Sequence, residues 1–528
     1  MTFYYPLPEK EIKTKATYDC EKCKLYNRNS IKTPYFFPVV GDEYNGLVIL
    51  GQSPSKDDDE KGRPFINKRA QVVRSIAYKN GINLAKQGAF VYALSCSVGK
   101  GHGTDVQYKC CRNILADHLI ELKPKMILCC GNMAFKSLFD LKNKIAETKL
   151  RGRVIPNYEF NCMVFTLMNP NDIFKSFQEY AMRKDMERAI SLWKKRYNNR
   201  KKVEKELEKK KILDGIEIKE IKTPMHMKRV FNWVSNLDDV SVDYETTNTK
   251  PYDNWFDITH ISFSNEKIAY VINESLWKTF PVWRDIKTYM KWLLENHSIH
   301  KIIQNDKFEE LCSRYKFGIK RINNSDCPML ATHVIDERRG CTSLDFQNLT
   351  RFGIPPYSNT IKSFLQKKNK DDKQNRIREA PYDDMITYAG LDVITTYHNW
   401  KFLNEIIIPN SYDNARKNYE LLHKGHMLFA NMTNRGVKAG IDELEDLENT
   451  FVNGIQDILE RISNIPEFID YNNYLGNQLN TTKEGDKKLE KLMMKVKENH
   501  INDNNTKKYN DNGRIGKEKI KIRRKLQF

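Results

Sequence analysis

Short, unbroken apolar runs separated by polar stretches organise the first third of this chain. Leu47-Val48-Ile49-Leu50, Ala89 to Leu94, Met126 to Cys130 and Met163 to Met168 have the length and continuity of strands buried on both faces. Helical spacing fills the gaps between the first three, at Ala70 to Lys79 and Cys111 to Leu122. Strand alternating with helix predicts a layered α/β domain on a parallel sheet. Residues 172 to 212 read as mostly helical and end in the charge run Lys201 to Lys211, which predicts an exposed linker helix. Beyond Thr223, Val240 to Asp243 reads as a strand. Ile258 to Phe263 and Lys267 to Ile272 read as two more, paired antiparallel across Ser264-Asn265-Glu266. A helix at Asp285 to Glu295, a strand at Lys301 to Gln304 and a helix from about Asp306 follow. From about residue 406 the pattern is helical, most clearly at Leu444 to Ile465. The expected fold is α/β and multidomain: a first domain over residues 1–190, a charged helical linker over 191–222, a second domain over 223–405, a short all-α segment over 406–475, and a basic, disordered tail over 476–528.

Length and charge agree with several domains and narrow the partners. A chain of 528 residues exceeds what one ordinary core holds. With 88 basic against 68 acidic residues, the formal charge is +20, a field suited to a polyanion such as nucleic acid or to an anionic membrane face. Lys507 to Phe528 alone carries nine basic and two acidic residues, a composition for disorder and non-specific nucleic-acid contact. The start, Met1 to Pro6, lacks the pattern of a signal peptide, and no apolar stretch approaches a membrane span, so a cytoplasmic protein is expected. Eleven cysteines in a reducing compartment suggest a metal or cluster site plus scattered core thiols rather than a disulfide framework.

The candidate chemistry lies in three clusters within the second domain: Asp243-Tyr244-Glu245, Gln304 to Glu309, and Tyr388 with Asp392. Carboxylates at i and i+2 share one face of a strand. A tyrosine and an aspartate four apart share one face of a helix. Hard divalent cations take carboxylate oxygens, and two such ions roughly 4 Å apart cleave phosphodiesters, one activating water and one stabilising the leaving oxygen.

In order and context these clusters resemble the 3′–5′ proofreading exonuclease of family A DNA polymerases, and the element order of the domain is that of a ribonuclease-H-like mixed sheet. The resemblance covers about residues 225–405. It implies that Asp243, Glu245 and Asp392 bind two divalent ions, Mg²⁺ or Mn²⁺, and that the Tyr388 hydroxyl positions water. The pattern departs at Glu309, which stands where aspartate is usual; it is the expected third carboxylate, with Asp306, one turn earlier, the weaker candidate. Asp326 and Asp345 fall in the family's next two elements and are assigned to structure.

The first domain resembles the iron–sulfur, family 4 uracil-DNA glycosylases over about residues 17–190. Gly51-Gln52-Ser53-Pro54, Asp57-Asp58-Asp59 and Gly62-Arg63-Pro64-Phe65 look like their uracil-binding loop. On spacing alone, Cys20, Cys23, Cys96 and Cys111 suit iron–sulfur or zinc; the resemblance favours a 4Fe–4S cluster. Cys110, Cys129, Cys130 and Cys162 read as plain buried thiols. Such enzymes flip the base out, stack it on an aromatic ring and read its edge with an amide. Phe65 is present for stacking, but three positions depart. Gln52 replaces an acid, Tyr92 stands where the reading asparagine is expected, and Asn169-Pro170 replaces His-Pro. A DNA-binding domain without efficient uracil excision is therefore expected, with glycosylase activity as the alternative.

Met432 to Asp442 resembles the opening of a family A polymerase domain, and the likeness ends near Asn473. The chain thus resembles the amino-terminal part of a phage-type polymerase. It is expected to bind single-stranded 3′ ends and primer–template DNA, to lack polymerase activity by itself, and to work beside a separate polymerase chain if its reading frame is a fragment from an intron or split gene. For a phage-encoded chain the compartment is the host cytoplasm.

Overall fold

The computed structural model describes residues 10–11, 20–23, 25, 35–99, 103–143, 145–172, 176–278, 281–407, 414–436, 440–466 and 469. The expected tail over 476–528 lies outside them. The chain divides into two compact units, residues 1–434 and 435–528.

The first unit holds two sheets. The first is built from β1 (Lys10–Glu11), β2 (Val39–Val40), β3 (Leu47–Gly51), β4 (Gly88–Tyr92), β5 (Met126–Cys130), β6 (Val154–Asn157) and β7 (Cys162–Leu167), in the order β1-β2-β4-β3-β5-β7-β6. The four apolar runs form its parallel centre, β4-β3-β5-β7. The sheet is not wholly parallel as expected, because β2 and β6 close its sides antiparallel. Neither strand carries a long apolar run: β2 has two residues and pairs on its outer side with β1, and β6, at the other edge, contains Pro156, whose missing amide suits it to that place. Alternation along the central strands divides the core in two. Val48, Leu50, Ile127 and Cys129 face one cluster with the helix Asp105–Leu122. Leu47, Ile49, Met126, Leu128 and Cys130 face another with the helix Lys68–Lys79.

The charge run expected as a linker forms the helix Arg200–Lys210. It is not free in solvent: Val203 and Leu207 are fully buried in that second cluster. An i, i+4 apolar pair among eleven mostly charged residues is enough to seat one face.

The second sheet contains β8 (Glu217–Glu220), β9 (Asp239–Thr246), β10 (Ile258–Ser264), β11 (Ile268–Asn273), β12 (His300–Ile302) and β13 (Ser325–Asp326), in the order β13-β12-β9-β10-β11-β8. The expected β10–β11 hairpin is present, and β9 lies at the centre, antiparallel to β10 and parallel to β12. Val240, Val242 and Tyr244 point into one core with the helix Val282–Glu295. The opposite face is covered by the long helix Tyr382–Ile407, whose Val393, Ile394, Ile386 and Ala389 pack on Ala269 and Val271. Gly390 allows this approach, since a Cβ there would meet Ile218 at 2.5 Å.

The two sheets are joined by a packed seam. Cys341, Phe346 and Leu349 from the second domain enter the first domain's core. Arg153 bonds Asp336 and lies 4.7 Å over the Phe346 ring, and Arg338 donates to the Thr148 and Arg151 carbonyls at 3.0 Å. In the second unit, the helix Ile441–Ser463 keeps its apolar stripe, including Leu447, Phe451, Ile455 and Leu459, exposed. Among the described residues, no helix is long and apolar enough to cross a membrane.

Candidate active site

Strand alternation and helix spacing bring the expected carboxylates together. Because Val240, Val242 and Tyr244 are core residues, Ser241, Asp243 and Glu245 must face the other way, toward the helix Tyr382–Ile407; the Ser241 hydroxyl donates to the Val393 carbonyl of that helix. The same helix carries Tyr388 and Asp392. Oxygens of Asp243, Glu245 and Asp392 all lie within 4.8 Å of one another. A register shift in the β9–β10 ladder falls at Ile258/His260, opposite Glu245 and Thr246, a device that re-aims a strand end.

Glu309 enters from the other side. Asn305, in the left-handed conformation at φ 62°, turns β12 into the helix Asp306–Phe317, a backbone state that asparagine tolerates. Glu309 is buried in the first turn. Burial, then the charges of Asp243 and Glu245, push its carboxyl well up. Asp306, one turn earlier, is engaged elsewhere: it accepts from His423 Nε2 at 2.5 Å and His426 Nδ1 at 2.8 Å. Burial opposes its ionisation, but these two histidines outweigh that and hold it below the usual carboxylate range.

The electrostatics of the cluster call for cations. Burial, then the Asp392 charge, raises Asp243 well above the ordinary range. Burial, then Asp243 and Asp392, does the same to Glu245. Asp392 is pushed up to about 7 by burial, while hydrogen bonds from Tyr357 and Tyr388 pull it down. Glu245 Oε1 and Glu309 Oε2 are buried with no hydrogen-bond partner, which is costly for an acceptor. Two buried and two half-buried acids with two orphaned oxygens fit hard divalent ions.

Tyr357 was not visible in the sequence. Its hydroxyl donates to Asp392 Oδ1 at 2.6 Å and lies 3.1 Å from Thr395 Oγ1, and its ring meets that of Tyr388 edge to face at 5.9 Å. It opens a short 3₁₀ turn, Tyr357–Thr360, after Pro355-Pro356, with no periodic signal to single it out. Asp326 bridges His300 Nε2 and the Tyr419 hydroxyl, and Asp345 accepts from Ser358, so both have structural partners.

In the first domain, Gln52 and Asn169 follow the carboxyl ends of β3 and β7, and Phe65 lies between the helices Lys56–Lys61 and Lys68–Lys79. The Gln52 side chain covers Gly131, where a Cβ would meet its Nε2 at 1.9 Å. Asn169 Oδ1 accepts from the Asn171 amide. The slot beside Phe65 is filled by the protein itself. The Tyr92 ring lies parallel to that of Phe65, with centroids 4.5 Å apart and planes within 1°. Its hydroxyl donates to Asp58 Oδ2 at 2.8 Å and accepts from the Phe65 amide at 2.9 Å. Asp58 also takes the Ser55 and Ile66 amides, so the loop, the stacking ring and the plug form one network. Gly51 leaves room for it: a Cβ there would meet Phe65 at 2.7 Å and Tyr92 at 2.9 Å.

Of the four expected cluster ligands, Cys20 and Cys23 flank one helical turn and pack, half-buried, against the core that contains Cys96 and Cys111. Burial, then Cys23 and Cys20, pushes the Cys96 thiol up to about 12. A hydrogen bond with Cys23, then burial, raises Cys111. Thiols gathered in this way fit a thiolate-bound metal group. Cys129, Cys130 and Cys162 are buried in the sheet, whereas Cys110 is only half-buried.

Comparison with known proteins supports both halves. Residues 218–408 match the family model described as 3′–5′ exonuclease, and residues 38–195 match that of the uracil DNA glycosylase superfamily. The chain therefore carries a glycosylase-superfamily domain followed by a 3′–5′ exonuclease domain. Among curated proteins it is similar to the type-4 uracil-DNA glycosylase of Archaeoglobus fulgidus, 28% identical over 139 residues, covering 26% of this chain and 67% of that one. The Pyrobaculum aerophilum enzyme of the same name is 26% identical, covering 24% of this chain and 64% of that one. The Thermotoga maritima enzyme is 24% identical, covering 35% and 95%. Similar solved structures include Brucella melitensis NrnC with bound Mg²⁺, at 18% identity and TM-score 0.30, covering 39% of this chain and 90% of that one. Another is Trypanosoma brucei RNase D complexed with RNA U12, at 11% identity and TM-score 0.33, covering 43% and 74%.

Proposed function

We propose that this chain is a metal-dependent exonuclease that removes nucleotides from DNA 3′ ends, as a proofreading module of a family A replication polymerase. The observation that carries the reading is the trio of buried Glu245 and half-buried Asp243 and Asp392 with mutually close oxygens, flanked by Glu309, whose buried Oε2 has no hydrogen-bond partner. These four residues would hold two divalent ions, Mg²⁺ or Mn²⁺, which would supply an activated water and stabilisation of the leaving 3′ oxygen. The protein's own part is to hold four acids in place, and to keep Asp392 oriented through the Tyr357 and Tyr388 hydroxyls. Tyr388, bonded to Asp392, is placed to orient the attacking water through that same hydroxyl.

The glycosylase-like domain is read as a DNA-binding module that does not excise uracil, because Tyr92 occupies the face of Phe65 that a flipped base would take. Cys20, Cys23, Cys96 and Cys111 are its proposed 4Fe–4S ligands. The polymerase context, a separate polymerase chain as partner and a cytoplasmic setting belong to the same proposal.

The test is single-turnover degradation of a mismatched 3′ primer end with Mg²⁺, Mn²⁺ or chelator. Metal-dependent trimming abolished by Asp243→Ala and Asp392→Ala supports the reading. No trimming under any metal condition overturns it.

A further inference from the structure

The carboxylate site borders a cavity of about 360 Å³ whose walls come from both domains. Tyr357 and Tyr388 line it on the side of the carboxylates, and these are the two residues whose hydroxyls hold Asp392. The cavity therefore begins where the metal-binding cluster ends. Pro355 and Pro356 add apolar surface, and Leu141 and Lys142, from the first domain, complete the wall. The exposed wall is mostly apolar and aromatic, with Asp140, Lys142, Asn359, Thr360, Asp384 and Thr387 supplying its polar groups, a lining that suits a base able to stack. The volume is at the low end of the roughly 300–1,000 Å³ range of small-ligand sites. That is the size of a site for one nucleotide.

The first-domain wall is fixed in place. Leu141 is buried in that domain's core, and its amide bonds the Lys136 carbonyl at 3.0 Å. Across the seam, Arg153 with Asp336 and Arg338 with two first-domain carbonyls tie the domains together. We propose that the turn Asp140–Lys142 of the glycosylase-like domain completes the exonuclease's binding site for the 3′-terminal nucleotide, receiving its base against Tyr357, Tyr388 and the two prolines. The glycosylase-like domain thereby sets affinity and base preference for the nuclease beside it. This inference rests on the exonuclease reading given above.

The test uses the full chain with Lys142→Trp and Thr360→Trp, exposed rim positions on opposite walls whose new rings fill the cavity, and Lys142→Glu as a smaller change. Trimming of single-stranded oligonucleotides ending in each of the four bases is measured in Mg²⁺, along with inhibition by thymidine 5′-monophosphate. Mn²⁺ affinity is measured separately by titration. The expected result is at least a tenfold rise in KM and in the inhibition constant for both tryptophan variants, a changed order of preference among terminal bases for Lys142→Glu, and unchanged Mn²⁺ affinity. Wild-type trimming with KM, inhibition constant and base preference the same within twofold in all three variants overturns the subsite while leaving the exonuclease intact. Absence of trimming by the wild type overturns both.

Discussion

Replacing Tyr92 separates a plugged base pocket from a working one. Tyr92→Phe keeps the ring on Phe65 and removes the hydroxyl. Asp58 retains the Ser55 and Ile66 amides, but the buried Phe65 amide loses the acceptor at 2.9 Å, a loss of about 1–3 kcal/mol. Tyr92→Ala also deletes a ring that is 6% exposed, and large aromatic truncations in cores cost about 3–5 kcal/mol. The cavity it leaves is bounded on one face by Phe65 and ends at Asp58 and the Phe65 amide, a ring-sized slot with polar groups at its far end. Free uracil should fill it and restore stability by RT ln(1 + [L]/Kd), about 1.4 kcal/mol at tenfold excess over Kd. The assay is urea unfolding followed by tryptophan fluorescence, with Trp193 in the same core cluster as Phe65 and Tyr92. Uracil should shift the Tyr92→Ala midpoint upward and leave the wild type unmoved. Tyr92→Asn should bind uracil as well yet release none from DNA, since Gln52 and Asn169 still stand at the other two altered positions. Release of uracil from DNA by the wild-type chain, or a wild-type midpoint that responds to uracil as strongly as that of Tyr92→Ala, would refute the plug.

Asp392→Asn removes an acid held up to about 7 by burial; trimming should fall by on the order of 10²–10³, while the metal-free protein at pH 8 melts no lower than wild type, and a lower melting point would refute the crowding of charges. Glu309→Gln should lose trimming, whereas Asp306→Asn should lose about 1–3 kcal/mol of stability and keep the rate within about threefold; equal loss of rate in both would reassign the third carboxylate. His300, bonded to Asp239 and Asp326, has its pKa raised from 6.5 to about 9. Its stabilisation is therefore full below pH 6.5 and lost as pH rises through about 9, so wild type minus His300→Gln stability should shrink across that window, and a constant difference would exclude the bridge. Anaerobic purification should give a brown protein whose iron is lost in Cys111→Ser; a colourless preparation carrying stoichiometric zinc would replace iron–sulfur with zinc.

Much of the fold was legible because each local pattern had one reading. Four continuous apolar runs became the parallel centre of the first sheet, and an Asp-x-Glu on an alternating strand became two carboxylates on one face. What stayed hidden had no periodic trace. The strands β2, β6 and β13 are too short or too polar to register, and Tyr357 opens a single 3₁₀ turn. The charge run at 201–211 misled because two apolar residues among nine polar ones read as solvent-facing, although an i, i+4 pair suffices to bury a helix. Tyr92 was legible as a departure from a pattern but not as a plug, since only the fold shows that a tyrosine on β4 reaches the Phe65 ring.

Glu309 and Asp306 show how tertiary partners decide between neighbours that sequence leaves open. Both lie in the first turn of one helix, both are buried acids, and their spacing of three puts them on adjacent faces. A buried carboxylate must meet positive charge or hydrogen-bond donors, or stay protonated. Asp306 meets it within the protein, from two histidines on the helix Ala415–Arg435. Glu309 has no such partner for Oε2 and has the Asp243 and Glu245 carboxylates as neighbours. The acid whose charge is already balanced anchors the following helix. The acid whose charge is not balanced is the one with a reason to hold a cation. The same accounting separates Asp326, satisfied by His300 and Tyr419, from Glu245, whose Oε1 has no partner. Charge balance inside the protein, more than position in a motif, thus marks which carboxylates are left for metal.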